Sequence, residues 1–319
     1  MPRPHLGAYI ALACVCFFWG TTYLGIRVAV ETVSPIRLMA LRYLFSGGVL
    51  LLGARAAGAR FPTPREAGKT ALYGLLTIGI GTGALSFSEL WIPSGLASLF
   101  ASLQPFWLVS VEALTPGGER LHWPSIGGMF VGLAGVILLL LPGGSAVVVK
   151  QGVTHQGAGA HTLLGGFLLL QFGALCWAIG SVWQRKLRGG THPFVSGGIQ
   201  QLATGIVYAI PALLEPVPTA WTTRGMLAVL YLAVFGGLVG YSAFIYSMHH
   251  LPVALMSIYT YINPLVAVAL GWWFYREPFG WRETAAMLVI FAGVSIVKWT
   301  TARGVRIQKT SVAPHPPIE

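Results

Sequence analysis

Two stretches of this chain carry the same text. LASLFASLQPF, Leu96 to Phe106, returns as LMSIYTYINPL, Leu255 to Leu265. Trp19 and Trp177, Arg27 and Arg185, Pro35 and Pro193, Tyr73 and Tyr231, Gly79 and Gly237, Glu119 and Glu277, Trp123 and Trp281, and Gly135 and Gly293 all lie 158 residues apart. Pro93/Pro252 and Pro105/Pro264 lie 159 apart, so one residue has been inserted and later removed. The chain is therefore two copies of one unit of about 150 residues, and the fold must be built from that unit used twice.

Each unit is almost wholly apolar. Mean hydropathy is +0.71 and 9% of residues are charged, against about 25% in a soluble domain. A bilayer core of about 30 Å takes roughly 20 helical residues to cross. That rule predicts ten spans: Gly7–Ala29, Ile36–Gly58, Thr70–Leu90, Ser94–Leu114, Ser125–Leu141, Leu163–Gln184, Phe194–Leu214, Gly225–Ser247, Pro252–Phe274 and Glu283–Thr300. No segment alternates as a membrane barrel strand does. The expected fold class is an all-α membrane protein, with ten transmembrane helices as two five-helix repeats around a central cavity. The expected divisions are a first repeat over 7–141, a periplasmic linker over 142–161, a second repeat over 162–300 and a disordered cytoplasmic tail over 301–319.

The net charge of +11 is not a nucleic-acid signal, because the basic residues sit between spans and on one side. With the N-terminus cytoplasmic, 13 of the 20 lie inside, among them Arg55, Arg60, Arg65, Lys69, Arg185, Lys186, Arg188, Lys298 and Arg303. Lys150, Arg224, Arg276 and Arg282 lie outside. The positive-inside rule then puts both termini in the cytoplasm. Five spans per half is an odd number, so the halves have opposite orientation. Inverted repeats of this kind are the pattern of secondary transporters. The first span has no small-x-small cleavage site and is read as retained. Cys14, Cys16 and Cys176 all fall inside spans, which leaves no disulfide framework and no metal pattern.

Polar text at membrane depth marks where chemistry can live. On span four Ser94, Ser98, Ala101, Ser102 and Pro105 share a face. On span nine Ser257, Thr260, Tyr261 and Pro264 form the equivalent face, with Tyr259 and Asn263 on an adjoining stripe. Each proline frees the carbonyl four residues earlier, Ala101 or Thr260, for protein, water or substrate. Pro105 and Pro264 are therefore the expected hinges. Spans one and six carry FFWGTTYLGIR and LCWAIGSVWQR. Trp19, Thr22 and Tyr23 share one face, and Trp177 and Ser181 another. Aromatics beside hydroxyls suit an amphipathic ligand or pack at a helix crossing. The expected substrate contacts are Trp19, Thr22, Tyr23, Ser98, Ser102, Trp177, Ser181, Tyr261 and Asn263.

Ionisable groups at depth are few. The chain has no aspartate. Glu89 closes span three and admits two roles, a titrating or substrate-contacting group or an ion pair with Arg27 or Arg42. Arg42 lies two turns into span two, where the second copy has Gln200. Glu119 and Glu277 read as turn or cap residues beside headgroup-level Trp123 and Trp281. HExxH, GxSxG and Walker A motifs are lacking, and all eight histidines lie in loops or at span ends. Enzyme classes built on them are excluded, and no cofactor is expected.

With the repeats, WGTTYLGIR, Pro35-x-Arg37, the QPF and INPL cores and the GER and REP turns in view, the chain resembles the EamA family of the drug/metabolite transporter superfamily, from about Tyr9 to Trp299. The resemblance implies ten helices in two inverted repeats around a central cavity. It also implies export of small metabolites, often amino acids, across a bacterial inner membrane. The small multidrug relatives carry a membrane-embedded Glu in the first helix. This chain has none there, so the resemblance does not carry over their proton exchange. The expected function is export of amino acids or related amphipathic solutes by alternating access, driven by protons or by the substrate's own gradient. Open alternatives are a lipid or sugar-phosphate carrier, an uncoupled facilitator and a non-transporting membrane sensor. The expected partners are a small-molecule substrate, the lipid bilayer and, where transport is coupled, protons. Substrate identity and oligomeric state are not legible.

Overall fold

The computed structural model describes residues 6–118, 121–141, 160–186, 192–216, 221–251, 258–277 and 279–311, and among these every regular element is helical. Among the described residues ten helices follow one another: α1 (Leu6–Val30), α2 (Pro35–Ala56), α3 (Pro64–Ser88), α4 (Ser94–Leu114), α5 (Trp123–Leu140), α6 (Ala160–Lys186), α7 (Pro193–Leu214), α8 (Thr223–His250), α9 (Tyr259–Tyr275) and α10 (Trp281–Ser311). Nine are long and apolar enough to cross a membrane. The tenth, α9, has 17 residues, and Pro252 to Ser257, which the sequence puts at its start, lie outside the described residues. So do Glu119 and the 142–159 linker.

Local chemistry explains the ends that differ from expectation. α3 begins six residues early because Thr63 and Glu66 form a reciprocal capping box ahead of Pro64. α10 runs past the expected edge at Thr300 to Ser311, correcting the disordered reading of that stretch. No proline interrupts it before Pro314. Within α3 and α8 the helix widens to a π-form, at Leu75–Thr82 and Leu232–Val239. These are equivalent places in the two copies, and periodicity gives no sign of either.

Packing follows the duplication. α2 lies along α7, and α5 along α10. α1 packs on α8 and α9, as α6 packs on α3 and α4. A Cβ on Gly47 would sit 2.3 Å from Leu202 N, and one on Gly205 2.4 Å from Leu44 N. The α2 and α7 backbones therefore touch, as small residues allow in a bilayer. At the other crossing a Cβ on Gly293 would meet Gly132 N at 2.4 Å, which gives the GGMFVGLAG run its packing role. Large apolar side chains such as Leu52, Phe130, Leu213 and Trp273 face outward, as lipid-facing residues must.

Candidate functional site

Two polar regions are buried within the bundle. The first gathers on the π-segment of α8. Gly236 O accepts Trp19 Nε1 at 3.3 Å. A Cβ on Gly236 would come within 2.7 Å of Arg42 Nη2 and 2.9 Å of Thr22 Cγ2. Glycine thus brings Trp19 and Thr22 of α1, Arg42 of α2 and the α8 backbone to one point. Ser46 donates to Gln201 Oε1, and Gln201 Nε2 donates to Gly237 O at 3.4 Å, which fixes α2, α7 and α8 beside it. Trp19 stacks on Phe244 with centroids 5.1 Å apart and meets the edge of Tyr259 at 5.4 Å. Thr22 spends its hydroxyl on Trp19 O at 2.6 Å. Arg42 is 6% exposed and lies over the Tyr43 ring at 4.9 Å. Its Nε and Nη1 have no hydrogen-bond acceptor.

The second region lies at the end of the bundle where α1 and α3 finish and α4 starts, here termed the Val30 end. Arg27 Nη1 donates to the backbone oxygen of Glu89 at 2.7 Å. The Glu89 carboxylate is fully buried, and neither of its oxygens has a hydrogen-bond partner. Arg27, Glu277 and Tyr23 lie within its electrostatic reach. Of the two expected roles for Glu89, a hydrogen-bonded ion pair with Arg42 is not formed, because Arg42 is held at the first region. Tyr275 donates to Glu31 and accepts from Arg224 Nη2 at 2.8 Å, which draws together α9 and the start of α8 beside the end of α1.

Glu277 is the residue whose role sequence reasoning found only in part. It caps a helix, but that helix is α4 of the other copy. Oε1 accepts Ser94 N and Ser94 Oγ, both at 3.0 Å, and Oε2 accepts Gly95 N at 3.1 Å. Arg276 adopts a left-handed φ of 53° to end α9, a conformation that costs a non-glycine residue about 1 kcal/mol. That turn sends Glu277 back over Gly271, where a Cβ would clash with Oε2 at 2.3 Å.

α4 itself is uneven. In Ser94–Ala101 every residue but the last is buried, whereas in Gln104–Leu114 none is. The helix breaks at Ser102 and Leu103, and its second part starts at Gln104 with Pro105 in the first turn. Gln171 of α6 supports the break, accepting Trp107 Nε1 at 2.9 Å and donating to Phe100 O at 3.2 Å. The first part packs on α9, α6 and α1, and the second on α6 and α10.

The remaining expected contacts divide. Ser98 and Ser102 are buried and donate to Gly95 O and Leu99 O of their own helix, both at 2.6 Å. Tyr23 packs with the α4–α5–α10 core rather than beside Trp19. Trp177 covers Gly81 in the π-segment of α3, as Trp19 covers Gly240 in α8; Ser181 lies one turn on and half-buried. Tyr261 faces α10, with Phe291 at 5.4 Å and Lys298 Nζ 4.3 Å from its ring. Asn263 joins α9 to α1: oriented to satisfy both neighbours, its amide donates to Cys16 O at 2.9 Å and Tyr259 O at 3.1 Å. Pro264 sits inside an unbroken α9, so the two prolines do not act alike here.

The EamA-like transporter family pattern matches residues 6–141 and again 164–299. Escherichia coli K12 YedA, named as an uncharacterized inner membrane transporter, is 31% identical over 92% of this chain and 90% of its own length. Dickeya dadantii PecM is 25% identical over 88% of each. A probable terminal-alkyne amino-acid exporter of Streptantibioticus cattleyicolor is 24% identical over 82% of this chain and 83% of its own. One crystal structure superposes with a TM-score of 0.64 at 22% identity, over 93% of this chain and 99% of that one, which bears on fold alone. Both halves match one family in sequence order, and the chain belongs to the EamA-like transporter family.

Proposed function

We propose that this protein is a secondary exporter of small amphipathic metabolites, amino acids or their relatives, in the bacterial inner membrane, working by alternating access. Its ten helices form two inverted five-helix repeats, with both termini cytoplasmic and the Val30 end periplasmic. The observation that carries the reading is the unevenness of α4. A helix sealed and capped at one end, broken just ahead of a proline, and only half-buried at the other is what one side of a two-sided gate requires. Support also comes from relatives named as transporters, one of them as an amino-acid exporter. Trp19 and Trp177 flank the path at matching depth, and Glu89 is the proton site. One proton crossing ~150 mV supplies ~3.5 kcal/mol, enough to sustain a few-hundred-fold solute gradient.

Labelling at the two ends of α4 tests this. Cysteine replaces Ala97 in the sealed part or Ser110 in the open part, in a chain freed of its three native cysteines. A saturating amino-acid mixture or an imposed pH gradient raises labelling at one position as it lowers labelling at the other. Rates that rise and fall together contradict alternating access.

A further inference from the structure

We propose that Arg42 is the anchor for the substrate's anionic group, and that the exported solutes are monoanionic or zwitterionic carboxylates. The proposal rests on the exporter reading above and names what its central site selects. Arg42 stands seven residues into α2, about 10 Å from the helix start, so its charge lies inside the hydrocarbon zone. Its side chain faces inward: Leu41, Phe45, Val49 and Leu52 are the exposed face of the same helix, which keeps lipid headgroups away from the guanidinium. A buried guanidinium without acceptors is strongly unfavourable. Here Nε and Nη1 are both in that condition, while the polar groups beside it hold other partners. Gly236 O takes Trp19, Ser46 and Gln201 take one another, and Thr22 takes its own helix. The protein therefore leaves two donors of one cation unspent beside an aromatic wall of Trp19, Phe244 and Tyr259.

The second copy shows what a merely structural residue does at this place. Gln200 stands there, and its Nε2 is satisfied by Ser196 Oγ at 3.2 Å. Gly79 O, the counterpart of Gly237 O, is taken by Tyr208 OH at 2.9 Å, as Gly237 O is by Gln201 Nε2. One copy is closed on itself and the other holds an open charge. Each edge of the guanidinium that matches a carboxylate, Nε with Nη2 or Nη1 with Nη2, includes one of these unspent donors. A single cation balances one negative charge, so a phosphate dianion would lack its second partner; Arg27, another buried arginine, lies at the Val30 end and donates to Glu89 O. The apolar part of the solute then lies against Trp19.

The test uses proteoliposomes loaded with labelled phenylalanine, leucine, phenylethylamine and phenylalaninamide, with wild type, Arg42→Lys and Arg42→Gln. Wild type releases the two carboxylates and neither amine nor amide. Arg42→Gln lowers carboxylate release roughly 10- to 100-fold at sub-saturating load, the span expected for charge-assisted hydrogen bonds, and Arg42→Lys lowers it less. Phenylalanine raises the melting temperature of wild type and not of Arg42→Gln. Arg42→Gln alone melts no lower than wild type, since it removes an uncompensated buried charge. Equal release of phenylalaninamide and phenylalanine overturns the anchor and leaves the exporter standing, as does undiminished release by Arg42→Gln. A melting temperature lowered in Arg42→Gln and unmoved by phenylalanine in wild type makes Arg42 structural. Release of none of the four solutes by folded wild type overturns both readings for this solute class.

Discussion

Glu277→Gln separates a gate from an ordinary helix cap. The Glu277 carboxylate is 8% exposed and receives three hydrogen bonds from Ser94 and Gly95. It also places a negative charge at the positive end of α4. Glutamine keeps one oxygen and turns an NH2 toward backbone N–H groups, so at least one bond is lost together with the charge. A hydrogen bond to a charged group contributes about 1.5–3 kcal/mol, and an anion at a helix N-terminus about 0.3–1 kcal/mol. The sealed state therefore loses about 2–4 kcal/mol. If the open state lacks these contacts, the balance between the two moves roughly 30- to 1,000-fold. The assay is the rate at which a thiol reagent reaches cysteine at position 97, which is fully buried in the sealed part of α4. The rate rises in Glu277→Gln, and Glu277→Asp falls between. A lower melting temperature with an unchanged labelling rate refutes the reasoning, because it means the cap persists in every state.

Other outcomes follow from the same geometry. Glu89→Gln removes the pH dependence of transport and leaves gradient-driven release intact; retained pH dependence excludes Glu89 as the proton site. Alanine at Trp19 or Trp177 lowers transport about 10-fold or more without loss of membrane insertion, while wild-type rates in both assign these rings to packing. Gly205→Leu forces α2 and α7 apart, since even a Cβ there would lie 2.4 Å from Leu44 N. Its yield of folded protein falls sharply, and a normal yield would show that the crossing is looser than described.

The fold was legible because each of its causes is local or repeated. Apolar blocks of bilayer length give helices, and the 158-residue echo predicts that contacts come in matched pairs. The site was legible only in parts. Helical stepping put Trp19, Thr22 and Tyr23 on one face, yet one turn of α1 touches two neighbours, and Tyr23 goes to the α4 core while Trp19 goes to α8. Tyr259 and Tyr261 are two residues apart, so they point to different helices, α1 and α10. Ser98 and Ser102 satisfy themselves on their own helix, an option every serine in a helix has. Gly236 became a junction through a π-segment that leaves no periodic mark. The prolines looked equivalent in sequence, but only Pro105 follows a break, supported by Gln171, where the first copy has Ala13 instead.

Solute release is the most direct test of the central claim. Purified protein is placed in liposomes loaded with mixed labelled amino acids, with and without an imposed pH gradient. Release is faster than from protein-free liposomes and faster still under the gradient. Folded protein that releases amino acids no faster than protein-free liposomes, under either condition, contradicts that claim.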